Sequence, residues 1–207
     1  MIPHSRRAQA GPPLGPVERW RSERDRARAP GNSHLPWCHG HGWMLDAGVV
    51  DVLAPVLLTQ TSGDDSYYRL TLVGARIAAR LLELLPQDYL ASQRQNDGPT
   101  IGTVLRAVVA HPDDLFAHGY VIGPSRCDER ITVEGVLFRA GGRYRLCPPG
   151  GPELDGCDCA ELYARLSGEF GVDDADAFPD ELSLRDGPGP DPAAPSEGTW
   201  WYRAWWD

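Results

Sequence analysis

The chain has no lysine: all twenty basic residues are arginine. Schiff-base catalysis and the lysine of a phosphate-binding loop are therefore excluded, because both need a primary amine. Long apolar runs are also missing. No stretch approaches the roughly 18 apolar residues that a membrane-spanning helix requires, so no membrane partner is expected. Arg6 and Arg7 are not followed by an apolar segment, so the N-terminus does not read as a secretory signal and a cytoplasmic location is expected. Cysteine is scarce and odd in number (Cys38, Cys127, Cys147, Cys157 and Cys159). In a reducing compartment that argues against a disulfide framework and leaves burial or metal ligation as roles.

What is abundant is glycine and proline, 23 and 19 of 207 residues, so loops and extended connections must be frequent. The net charge of −9 is unevenly spread. Residues 1–35 carry seven arginines against Glu18, Glu23 and Asp25, whereas residues 153–207 carry fourteen acids against Arg165, Arg185 and Arg203. A uniformly basic nucleic-acid binder is excluded; a basic arm on an acidic body is not. The length suits one domain with tails. Residues 1–35 read as a flexible Arg-rich arm, 36–185 as a single domain, 186–198 ("DGPGPDPAAPSEG") as a linker and 199–207 as an aromatic tail.

Periodicity sets the elements. "VLLTQ" (56–60) and "YYRLT" (67–71) read as a hairpin. The stripe Val73, Ile77, Leu81, Leu85 predicts a helix over 70–85 capped by Thr71. "TIGTVLRAVVAH" predicts a second helix capped by Thr100. "GYVIG" (119–123), "RITVEGVLFR" (130–139) and "RYRLC" (143–147) predict a three-stranded antiparallel meander, with a bulge at Gly135. Asp158 opens a C-terminal helix with Glu161 three residues on. The expected class is α+β: a β-hairpin plus helices, then the meander, then that helix.

The densest chemical stretch is "PWCHGHGW" (36–43). Cys38 and His41 in C-x2-H spacing can face one ion, and "CDC" supplies Cys157 and Cys159. Together they make a four-ligand zinc set, with His34, His39 and Cys147 in reserve. The arm's Arg6, Arg7, Arg19, Arg21, Arg24, Arg26 and Arg28 are candidate phosphate contacts. The tail "TWWYRAWWD" offers Trp200, Trp201, Tyr202, Trp205 and Trp206 as a partner-binding set, since Trp and Tyr anchor interfaces. If the tail instead folds back as a strand, Trp200, Tyr202 and Ala204 point one way and Trp201, Arg203 and Trp205 the other.

Two stretches carry resemblances. "VVAHPDDLFAHG" (108–119) resembles the metal-binding segment of N-acetylglucosaminyl-phosphatidylinositol and mycothiol-type deacetylases. That resemblance implies zinc ligation by His111 and Asp114, with Asp113 as base and His118 nearby; Leu115 stands where the family has Glu. "VLLTQTSGDDSYYRLTLVGARIAARL" (56–81) resembles the wing and following helix of winged helix–turn–helix regulators, matching at Tyr68, Leu70, Thr71 and Gly74. It implies a DNA-associated role, although the turn "SGDD" is acidic and would repel phosphate.

The function expected from these features is a non-catalytic regulatory or binding protein that works through protein–protein contacts, with DNA as a second partner class. The alternatives are a small zinc-dependent hydrolase and an acidic inhibitor or immunity-type protein that binds a basic partner.

Overall fold

A computed structural model describes residues 15–28, 40–59, 67–149, 155–185, 187–188 and 199–207. Helix α1 (Pro16–Ala27) leads to two short helices, α2 (Trp43–Asp46) and α3 (Val49–Leu53). The hairpin β1 (Leu57–Thr59) and β2 (Tyr67–Val73) follows, then α4 (Ala75–Leu84), α5 (Gln87–Ser92) and α6 (Ile101–Ala110). A second hairpin, β3 (Leu115–Ile122) and β4 (Arg130–Gly141), precedes α7 (Cys159–Phe170), β5 (Glu181–Arg185) and β6 (Thr199–Trp205). The strands form one antiparallel six-stranded sheet in the order β1-β2-β3-β4-β6-β5. The class is α+β, as the sequence predicts.

The helices share one side of this sheet. Leu81, Val104, Leu105, Val108, Leu162 and Leu166 are fully buried and cluster with Leu115, Ala117, Val136, Phe138 and Tyr202 from the strands. Each such side chain contributes about 1.5–3 kcal/mol on leaving water. Tyr120, Ile122 and Leu137 are also buried but stand outside that cluster, on the sheet's other face. The molecule thus has an inner face under helices and an outer face. Tyr120 there also donates its hydroxyl to Gln95, in the connection between α5 and α6, at 2.9 Å.

Local chemistry sets the ends of the elements. Thr100 caps α6 by accepting from Thr103 N–H, and Asp174 accepts from the Thr100 and Thr103 hydroxyls at 2.6 and 2.8 Å. Gly171 ends α7 at φ 71°, a left-handed position that favours glycine.

Three expectations change. Thr71 does not cap a helix: it lies in β2 and donates its hydroxyl to Val56 O, and α4 starts only after Gly74. Aromatic Tyr67 and Tyr68 with β-branched Thr71 and Val73 favour strand, and Val73 pairs with Ala117 of β3, which delays the helix. Residues 143–147 are irregular and form no third meander strand. The edge of β4 that they would occupy is taken by β6, paired from Gly135–Trp205 to Gly141–Thr199. The aromatic tail is therefore an interior strand. The stretch 15–28, expected in the flexible arm, is helical and docked, with Trp20 fully buried against Tyr68 at 4.8 Å.

Candidate functional site

Because strand side chains alternate, β6 divides its aromatic residues between the two faces. Tyr202 and Ala204 are fully buried on the inner face, and Trp200 packs against that cluster. Trp201, Arg203 and Trp205 project from the outer face, each only part-exposed. Neighbouring strands add Phe116, whose ring lies 5.8 Å from Trp201, and the stacked pair Tyr67–Tyr120 at 4.6 Å.

A row of charges runs through this aromatic surface from β2 to β5. Arg69 donates to Glu134. His118 Nδ1 lies 3.6 Å from the same Glu134 oxygen. Arg203 Nε donates to His118 Nε2 at 3.2 Å, and its other nitrogen is 3.6 Å from Glu181. Arg185 closes the row by donating to Glu181 at 2.8 Å. The Arg69 and Arg203 guanidinium groups also sit over Tyr67 and Trp205, at 5.6 and 5.1 Å from the ring centres.

A β-bulge builds the centre of the row. His118 pairs with Gly135 and Gly119 with Val133, which leaves Glu134 as the extra residue. A bulge re-aims one side chain, and here it brings the Glu134 carboxylate to Arg69 and His118. Gly135 is required beneath the histidine: a Cβ there would lie 2.8 Å from the His118 ring and 2.4 Å from Ala204 O. The bulge expected at Gly135 is thus present, one residue away.

Burial lowers the His118 pKa, outweighing the pull of Glu134, so the ring is neutral near pH 7 and its Nε2 is an acceptor for Arg203. Burial pushes Glu134 up, but the bonds from His118 and Arg69 outweigh it and hold this carboxyl below its ordinary range. The exposed ends of the row are cationic: the Arg69 and Arg185 side chains are 47% and 46% exposed, against 9% for Glu134 and 14% for Glu181. On a chain of net charge −9, this face offers guanidinium groups and rings to its surroundings.

The other expected sites are placed as follows. Arg6, Arg7, Cys38, His34, His39 and the linker residues 189–198 lie outside the described residues. Arg24 and Arg28 both pair with Asp46, at 3.3 and 2.7 Å, and the Arg28 bond holds that carboxyl below its ordinary range. Arg21 and Arg26 are exposed on α1, and Arg19 is half-buried. Trp206 is buried and donates its indole N–H to Ala177 O at 3.1 Å.

His41 is buried beside the β3–β4 connection, with Nδ1 2.6 Å from Pro124 O. It does not join Cys157 and Cys159. Among the described residues those two thiols gather with Cys147 instead, all three sulfurs lying within 4.8 Å of one another. Burial, reinforced by its thiol neighbours, pushes the Cys159 thiol up to about 11.

The deacetylase-like stretch is dispersed. His111 ends α6 against the Phe170 ring, Asp114 pairs with Arg139, and His118 faces Glu134 from β3. The wing-like stretch is the β1–β2 hairpin followed by α4, but β2 is bonded into the six-stranded sheet, and α2 and α3, of 4 and 5 residues, are short for a groove-reading helix.

Sequence reasoning missed Arg69, Glu134 and Glu181. No spacing along the chain signals them, because the row joins residues from five strands, and local periodicity does not say which strands pair or in what register. No protein-family model matches the chain, and neither does any curated protein or solved structure.

Proposed function

We propose that the chain is a non-catalytic binding protein whose working surface is the outer face of its sheet, and that the partner is a protein presenting carboxylates beside apolar side chains. One observation carries this reading: the arginine–carboxylate row embedded among Phe116, Trp201 and Trp205. Trp, Tyr and Arg are the residues that dominate protein interfaces, and here they are held in place by the sheet and by one another. Ordering such side chains in advance lowers the entropy cost of docking.

Nucleic acid fits this surface less well. The row holds three guanidinium groups, of Arg69, Arg203 and Arg185, against the two carboxylates of Glu134 and Glu181, a surplus of one cation. That surplus can take an isolated carboxylate among apolar side chains, but it is too small for a nucleic-acid backbone, whose binding rests on neutralising several phosphates.

The test uses the full chain in cells that express it naturally. A photo-cross-linking residue replaces Arg69 on the outer face, or Arg80 on α4 as a control. The expected result is a protein adduct from position 69, absent from position 80, that disappears when Trp201→Ala and Trp205→Ala are added. A nucleic-acid adduct at position 69, or equal labelling from both positions, would overturn the reading.

A further inference from the structure

Away from the outer face, three cysteines converge where the irregular segment 143–148 meets the start of α7. Two hydrogen bonds clamp these segments together, one backbone to backbone and one backbone to side chain. Asp158 N–H donates to Arg145 O at 2.8 Å, and Arg145 N–H donates to the Asp158 carboxylate at 2.7 Å. The Arg145 guanidinium adds a bond to Asp155 O at 2.6 Å and another to Gly156 O. Gly156 turns the chain at φ 69°, and Asp158 is engaged with Arg145, so the thiols on either side of it, Cys157 and Cys159, both meet Cys147. Cys147 N–H already donates to Cys159 Sγ at 3.3 Å, an arrangement that supports a thiolate bound to metal.

We infer that Cys147, Cys157 and Cys159 bind one zinc ion, with the fourth coordination position open to the adjoining cavity. Thiolates bind zinc at about 2.3 Å, which in a tetrahedron separates the sulfurs by roughly 3.8 Å. Sulfurs already within 4.8 Å reach that spacing by small side-chain rotations. Three soft ligands select a thiophilic ion over magnesium or calcium. The cavity, about 890 Å³ and walled in part by Phe178, Asp180 and Leu182, has room for a water at the fourth position. The site differs from the set read from sequence: Cys157 and Cys159 remain, Cys147 joins them, His41 is committed elsewhere, and Cys38 lies outside the described residues. The three cysteines take no part in the outer-face row, although Glu181 borders both that row and the cavity, so either assignment can fail alone.

The test is metal analysis of the full chain, with X-ray absorption at the zinc edge. One zinc per chain is expected, with three sulfurs and one light atom in its shell. Cys147→Ser, Cys157→Ser and Cys159→Ser should each weaken zinc binding by more than about 100-fold, beyond what loss of a supporting residue costs, and Arg145→Ala by about 10–100-fold. Cys127→Ser should change nothing. Where a serine variant fails to fold, alkylation of the wild type decides: three thiols should be shielded with zinc and react after chelation. Zinc well below one per chain, a disulfide among the three cysteines, or zinc that survives Cys147→Ser but not His41→Ala would overturn the assignment.

Discussion

On the inner side of β6, Tyr202 is fully buried between Phe138 and Tyr144, accepting from Tyr144 N–H and donating to Gly142 O, both at 3.1 Å. On the outer side, one residue away in each direction, Trp201 and Arg203 stay part-exposed, and Arg203 ties His118 to Glu181. The same nine-residue aromatic segment therefore serves two ends. Aromatic content does not distinguish them; neighbours do. Inward, Tyr202 joins the apolar cluster against the rings of Phe138 and Tyr144, whereas outward Trp201 meets Phe116 and Trp205 lies under the Arg203 guanidinium of the charged row.

The carboxylates differ in the same way. Glu129, buried on the inner side, accepts from Met44 N–H at 3.1 Å and from Gly42 N–H, and burial pushes it up to about 7 despite those bonds. Glu134, on the outer side, is held below its ordinary range once His118 and Arg69 have outweighed its burial.

The sharpest way to break the comparison is to truncate the two sides separately. Tyr202→Ala should cost about 3–5 kcal/mol in urea unfolding, as large buried rings do, whereas Trp201→Ala should cost about 1 kcal/mol or less. Equal losses would mean that the outer ring is structural.

Next is pH. The raised pKa of Glu129 contributes stability that is fully present below its ordinary value of 4.5 and is lost as pH rises through about 7, a span of about 3 kcal/mol. Glu129→Gln should remove that fall. Glu134 has the opposite sign: its contribution is present above 4.5 and is lost as pH drops through its lowered value, so Glu134→Gln should flatten the acid limb instead. Unfolding midpoints from about pH 2 to about pH 8 test both, and the same slope change in the two variants would erase the distinction.

The smallest effect concerns the helical layer. Thr100→Ala should cost about 1 kcal/mol through loss of the α6 cap. It should leave partner capture unchanged.

Much of the inner layer was legible in the sequence because its signals are local. Thr100 and the stripe from Ile101 to Val108 mark α6, and Asp158 marks the start of α7. The alternation in "RYRLC" was misleading: period two marks a strand only where an edge is open, and β6, from more than 50 residues later, fills that edge. The two-sidedness of "WWYRAWW" could be read from pleat geometry alone, but which side would be covered depended on strands elsewhere. The candidate site was hidden for the same reason. Arg69, His118, Glu134, Glu181 and Arg203 come from five strands, and the bulge that turns Glu134 outward is visible only as a glycine in a strand. The cysteines were legible in part: Cys157 and Cys159 stand out as a pair, but only the Arg145–Asp158 clamp shows Cys147 to be the third member.

The most direct test of the central claim is the affinity of the partner captured at position 69, measured by calorimetric titration against the wild type and against Trp201→Ala/Arg203→Ala. The expected result is a loss of at least about 30-fold, roughly 2 kcal/mol, the scale of an interface hot spot, while the unfolding midpoint of the variant stays within about 4 °C of the wild type. Unchanged affinity in a variant that remains folded would contradict the account, since the outer face would then not be the surface that binds.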